Sequence, residues 1–171
     1  MRSKLVESAM NDQIGAEFYS AYLYLSMSAF FERKSLAGFA HWMRLQYGEE
    51  LVHATKMFDF MVDNDANLQL QPIPAPPSEF GTPLEIMREA LRHEQEITAS
   101  IVKVYELAVS EHEYPTQILM QWFINEQTEE EKTVGDIVAH LEMIGDDGPA
   151  LLLMDNQLAG RTADSADAGA E

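Results

Sequence analysis

The chain of 171 residues has no cysteine, which excludes disulfides, thiol nucleophiles, zinc ribbons and cysteine-held iron–sulfur clusters. Positive charge is scarce as well: 11 Lys and Arg stand against 29 Asp and Glu, a formal net charge of −18. Phosphate contacts need Lys or Arg, so nucleic acid and anionic membrane surfaces are excluded as partners and cations are favoured. No run of about 18 uncharged apolar residues is long enough to span a bilayer. No charged-then-apolar leader follows Met1, so the expected location is the cytoplasm. What the chain does have is 46% hydrophobic residues, enough to fill one core at this length.

Glycine and proline are clustered, and the stretches between them carry helical periodicity. From Ser3 to about Arg33 the stripe runs Met10, Ile14, Ala21, Leu25 and Ser28. From about Leu36 to Asn64 it runs Phe39, Trp42, Gln46, Met57 and Phe60. Thr82-Pro83 is an N-cap followed by a helix-opening proline. The third helix, to about Glu111, is striped by Leu84, Met87, Leu91, Thr98, Ile101, Tyr105 and Ala108. Pro115 opens a fourth, with Leu119, Phe123, Val134, Ile137, Leu141 and Ile144, and Gly145 is its stop. A short fifth segment spans Ala150 to about Leu158. The acidic, Ala-rich remainder, 159–171, has too little apolar surface to order itself.

Helices of about thirty residues are roughly 45 Å long. Short turns at 32–35 and 112–114 make the first pair and the last pair antiparallel. The link from Asp65 to Gly81 carries Pro72, Pro74, Pro76 and Pro77. Extended, its seventeen or so residues reach about 55 Å, enough to cross the bundle and make the second and third helices parallel. The expected fold is all-α: a four-helix bundle over 1–158 with a long crossover and a short fifth helix.

Each stripe is interrupted near its middle by an acid: Glu17, Glu50 with His53, Glu94, and Glu130. At one level in a bundle these would place four carboxylates and an imidazole inside an apolar core. With no Lys or Arg on the stripes, repulsion would force protonation unless cations entered. Two divalent ions would balance four carboxylates. Oxygen donors with one nitrogen suit iron(II) or manganese(II) better than zinc or calcium. The pair Glu50-Leu51-Val52-His53 has no counterpart, because Ile97 and Thr133 follow the other glutamates. Glu17 and His53 would therefore hold one metal, Glu94 and Glu130 the other, with Glu50 between. Beside them, Glu49, Glu126 and Glu129 are either a further metal site or a solvated acidic face. Tyr24, two turns after Glu17, is either an electron donor to the centre or ordinary core, and Trp122 reads the same way. His41, His93, His112 and His140 fall off the stripes and are expected at the surface.

The stretches Gln13-Ile14-Gly15-Ala16-Glu17-Phe18-Tyr19-Ser20, Glu49-Glu50-Leu51-Val52-His53 and Glu126-Gln127-Thr128-Glu129-Glu130-Glu131-Lys132 resemble the bacterial non-haem ferritins. The resemblance covers about Leu5 to Leu158. It implies a ferroxidase centre with Glu17, Glu50 and His53 on the first iron and Glu50, Glu94 and Glu130 on the second. It also implies a third iron at Glu49, Glu126, Glu129 and Glu130, with Gln127 and Tyr24 close by. Further implications are a homo-oligomeric cage of twenty-four subunits, ferrous iron and dioxygen (or peroxide) as reactants, and ferric mineral stored inside. Bacterioferritins have a second Glu-x-x-His and a haem-binding methionine where Leu51 stands here, so no haem is expected. Rubrerythrin-like peroxidases need cysteine. The competing readings are a non-catalytic iron or manganese buffer, another di-iron carboxylate oxidase, and a plain helical assembly protein.

Overall fold

A computed structural model of the chain describes residues 3–162. Its elements are α1 (Lys4–Arg33), α2 (Ala37–Asp63), α3 (Pro83–Ser110), α4 (Tyr114–Ile144) and α5 (Gly148–Leu158), with no strand among the described residues. Local chemistry sets the boundaries. Ser3 Oγ accepts from the Val6 amide, and Thr82 and Glu85 form a reciprocal capping box ahead of Pro83. Gly145 ends α4 at φ 57°, a left-handed conformation that costs glycine nothing. The fifth helix starts at Gly148, two residues before the expected Ala150, because Asp147 caps it and proline is tolerated in a first turn.

The N-terminus of α2 has no side-chain cap of its own. Asp155 of α5 supplies one from a distance: its Oδ1 accepts from the Phe39 amide at 2.9 Å. The approach is so close that a Cβ on Gly38 would lie 1.6 Å from the Asp155 carbonyl oxygen.

The expected crossover is present. Asn11, near the start of α1, bonds to the Asn67 carbonyl and the Gln69 amide at 2.9 and 2.6 Å. Arg33, at the other end of α1, donates to the Ser78 carbonyl at 2.7 Å. The connection thus tracks about 33 Å of helix between those two anchors. Pairings between α1 and α3 run in opposite senses, Gln13 with Ser100 and Tyr24 with Glu94. So α3 is antiparallel to α1 and parallel to α2.

The core is divided in two. One half gathers Phe31, Phe39, Trp42, Met87 and Leu141; the other gathers Met10, Ile14, Met57, Ile101 and Phe123. On every long helix the inward-facing residues between the halves are polar: Glu17 and Ser20, Gln46, Glu50 and His53, Glu94, and Gln127 with the half-buried Glu130. The periodic stripes underestimate the core of α3, where Ile86, Ala90, Ile97 and Val104 are buried while Leu84, Leu91, Thr98 and Tyr105 are half-buried. A helix packed between two neighbours buries a face wider than one seam.

Candidate metal centre

At mid-height of α1, Glu17 is buried, and its Oε1 accepts from Gln13 Nε2 at 2.8 Å. Gln13 sits one turn earlier on the same face, and its own oxygen accepts from Ser100 of α3. Glu50 and His53, three residues apart on α2, share one face, with His53 Nδ1 3.6 Å from Glu50 Oε2. On α3, Glu94 accepts from the Tyr24 hydroxyl through Oε1 and from Gln127 Nε2 at 3.1 Å through Oε2. Glu130 of α4 is half-buried and accepts from Gln46 Nε2 at 2.8 Å.

Three glutamine amides therefore each hold one carboxylate, while Glu50 is left over. Both Glu50 carboxylate oxygens and His53 Nδ1 are buried without a hydrogen-bond partner. Leaving such atoms unpaired in an apolar interior costs on the order of 1–3 kcal/mol each, more when charged. Ligand atoms of Glu17, Glu50 and His53 lie within 4.8 Å of one another, and no other such group occurs among the described residues. A divalent cation there would satisfy the orphaned atoms and neutralise the repulsion together.

The electrostatics agree. Burial, then repulsion from Glu94, Glu17 and Glu130, holds Glu50 well above its ordinary carboxyl value. Burial pushes Glu94 up to about 7, against the opposing hydrogen bonds from Tyr24 and Gln127. Burial, Glu94 and Glu49 push Glu130 up to about 8, against Gln46 and Arg161. Tyr24 is raised well above 10, first by burial and then by Glu94 and Glu50, so it remains a neutral phenol that donates to Glu94.

The structure brings the five stripe residues to one level but does not gather them equally. Glu94 and Glu130 lie outside the close group of Glu17, Glu50 and His53, each turned to its own hydrogen-bond donors. Of the flanking acids, Glu129 is exposed, Glu126 is half-buried, and Glu49 is ion-paired with Arg161 at 3.2 Å. His41, His112 and His140 are exposed as expected, but His93 is not. It is half-buried between α1 and α3, with Nε2 2.7 Å from Ser20 Oγ and its ring edge-on to Tyr19. Stripe periodicity misses it because a residue beside the seam still faces the neighbouring helix.

Several contacts to the site escaped the sequence reading. Gln13 carries a signal that could have found it, lying one turn before Glu17. Gln46 likewise precedes Glu50 by one turn. Trp122, already named beside Tyr24 as donor or core, meets the His53 ring edge-on at 5.8 Å, under the Lys56 ammonium at 4.1 Å from its centroid. Ser100 and Arg161 come from remote segments and have no local signal.

A family profile for the ferritin-like domain matches residues 7–144. The bacterial non-heme ferritin of Bacteroides fragilis is 37% identical over 161 residues, covering 94% of this chain and all of that one. That of Staphylococcus haemolyticus is 35% identical over 164 residues, covering 96% and 99%. Among solved structures, an Archaeoglobus fulgidus ferritin engineered into a closed form is 42% identical, with a TM-score of 0.93 and coverage of 96% and 100%. An open-pore ferritin from the same archaeon is 43% identical, with a TM-score of 0.93 and coverage of 94% and 98%.

Proposed function

This chain belongs to the ferritin family, and from that premise we propose that it stores iron, oxidising Fe(II) with dioxygen at a dinuclear centre within each subunit. Residues 1–158 act as the ferritin unit. Glu17, Glu50 and His53 take the first ferrous ion; Glu50, Glu94 and Glu130 take the second. Glu49, Glu126, Glu129 and Glu130 form an acidic flank that takes a third. One observation carries the reading: a carboxylate and an imidazole whose buried ligand atoms have no partner, facing a second carboxylate within 4.8 Å.

Iron here is substrate and cargo. Binding displaces the protons that raised carboxyl affinities hold on Glu50, Glu94 and Glu130. Glu94 keeps a lone pair on each oxygen beside its bonds from Tyr24 and Gln127, and Glu130, held at Oε2 by Gln46, offers its other oxygen to the second ion. Two Fe(II) then give up two electrons, and dioxygen takes them with two protons to yield hydrogen peroxide. Hard anionic oxygens favour the Fe(III) product. Tyr24, whose hydroxyl touches Glu94, would supply one of the two electrons that reduce the peroxide to water, together with its phenolic proton. A third Fe(II) would supply the other electron and solvent the second proton, while Gln127 steadies the Glu94 carboxylate.

Large apolar side chains such as Tyr114, Ile118, Met143 and Leu153 are exposed on the single chain. This supports assembly into a homo-oligomer, read here as a cage of twenty-four with the mineral inside. Leu51 at the position of the haem methionine supports a ferritin without haem.

The test is to load metal-free protein anaerobically with Fe(II), admit oxygen and follow near-ultraviolet absorbance. A fast phase saturating at about two irons per chain, with slower oxidation of excess, is the expected result. Oxidation no faster than in buffer would overturn the ferroxidase reading.

A further inference from the structure

Three residues beyond the end of α5, Arg161 returns to the middle of the bundle. One guanidinium nitrogen donates to Gln46 Oε1, and another lies 3.2 Å from both carboxylate oxygens of Glu49. The guanidinium carbon stands 5.2 Å over the Trp42 ring, and the Arg161 carbonyl meets His41 Nε2 at 2.9 Å. Trp42, Gln46 and Glu49 follow at four- and three-residue steps, so one face of α2 forms the whole seat. The side chains of Arg161 and Glu49 are each only 19% exposed.

The consequence follows from donor chemistry. A guanidinium can only donate, so Gln46 must turn its oxygen toward Arg161. Its amide nitrogen then faces Glu130, to which it donates at 2.8 Å. Replace the guanidinium by a group that also accepts, and only Glu130 itself is left to orient the amide. At the same time a fixed positive charge lies on Glu49, one of the acids of the flank.

We propose that Arg161 is a positioning residue of the metal centre: a tethered cation that fixes the Gln46 amide, and through it Glu130, while holding Glu49 against a third metal ion. The inference rests on the dinuclear reading above. It makes the C-terminal segment part of the site, with the flank open to a third ion only in competition with the guanidinium.

The test uses the assembled full chain, stripped of metal and titrated calorimetrically with Zn(II), which binds without redox turnover. Emission of Trp42 is followed in a Trp122→Phe background, where it is the remaining one of the chain's 2 tryptophans. Arg161→Gln is expected to weaken the second Zn(II) about 10-fold, the scale of losing an outer contact to a ligand. It should leave the first Zn(II) unchanged, shift Trp42 emission, and let a third Zn(II) bind more tightly. Arg161→Lys should keep the third ion weak, because the charge remains. It should not restore the second, because an ammonium lacks the fork that spans Gln46 and Glu49. Gln46→Leu should weaken the second ion alone, and adding Arg161→Gln should weaken it no further.

Two Zn(II) bound identically by parent and Arg161→Gln, with no third, would overturn the inference and leave the dinuclear reading intact. So would a uniform weakening of all ions together with lost helicity, which would make Arg161 merely structural. A parent that takes up no Zn(II) pair, with Glu17→Ala indistinguishable from it, would sink the dinuclear reading and this inference with it.

Discussion

At the residue scale, the centre holds three acids, Glu50, Glu94 and Glu130, whose burial favours the protonated form until a cation arrives. Glu94 at about 7 and Glu130 at about 8 lie above the ordinary carboxyl value of 4.5, and Glu50 is raised too. A group whose folded pKa is raised contributes stability that is present below the unfolded value and lost as pH rises through the folded one. Metal-free protein should therefore lose thermal stability between about pH 4.5 and 8, and Glu94→Gln should flatten that slope. A thermal midpoint that rises over this range would contradict the picture. With saturating Zn(II) the dependence should reverse, because binding releases the same protons. Glu94→Ala should slow the fast phase of iron oxidation at least about 10-fold, the loss that an outer contact alone produces, while the bundle and its assembly survive. Stopped-flow absorbance together with sedimentation would show both.

Among the elements, α5 carries the most consequence for its length. Asp155 caps α2 from outside, and the backbone contact at Gly38 leaves no room for a side chain. Asp155→Ala should destabilise the protein by about 1 kcal/mol, as the loss of an N-cap does. Gly38→Ala should do more, about 1–3 kcal/mol, because α5 must move away from α2. Amide exchange over α2's first turn and α5 would localise both effects; unchanged exchange at Phe39 would refute the shared cap. Periodicity and capping residues in the sequence locate the four long helices to within a residue or two, since Ser3, Thr82-Pro83 and Gly145 act on their own neighbours. The cap on α2 could not be read that way, because its donor and acceptor are separated by 116 positions.

On the scale of the whole molecule, the exposed apolar side chains suit the homo-oligomer proposed above. Leu153 is 62% exposed in the single chain, on a helix that contributes little core of its own. Leu153→Glu should leave helicity intact and shift the sedimenting species to smaller oligomers, whereas an unchanged mass would place the contacts elsewhere. The net charge of −18 acts at this scale too, favouring cations over anions near the protein.

The sequence by itself determined the helices, the crossover and the identity of the stripe-breaking acids. Each is written in spacing along one segment, and helix geometry converts spacing into direction without outside help. Glu17, Glu50, His53, Glu94 and Glu130 were legible for that reason. Tertiary structure alone decided which of them stand together and what else touches them. Ser100 aligning Gln13, Trp122 against His53, His93 lodged beside Ser20, and Arg161 seated on Glu49 all join segments distant in the chain. Such contacts depend on how helices rotate and slide against one another to bury their apolar faces. No one segment carries that information.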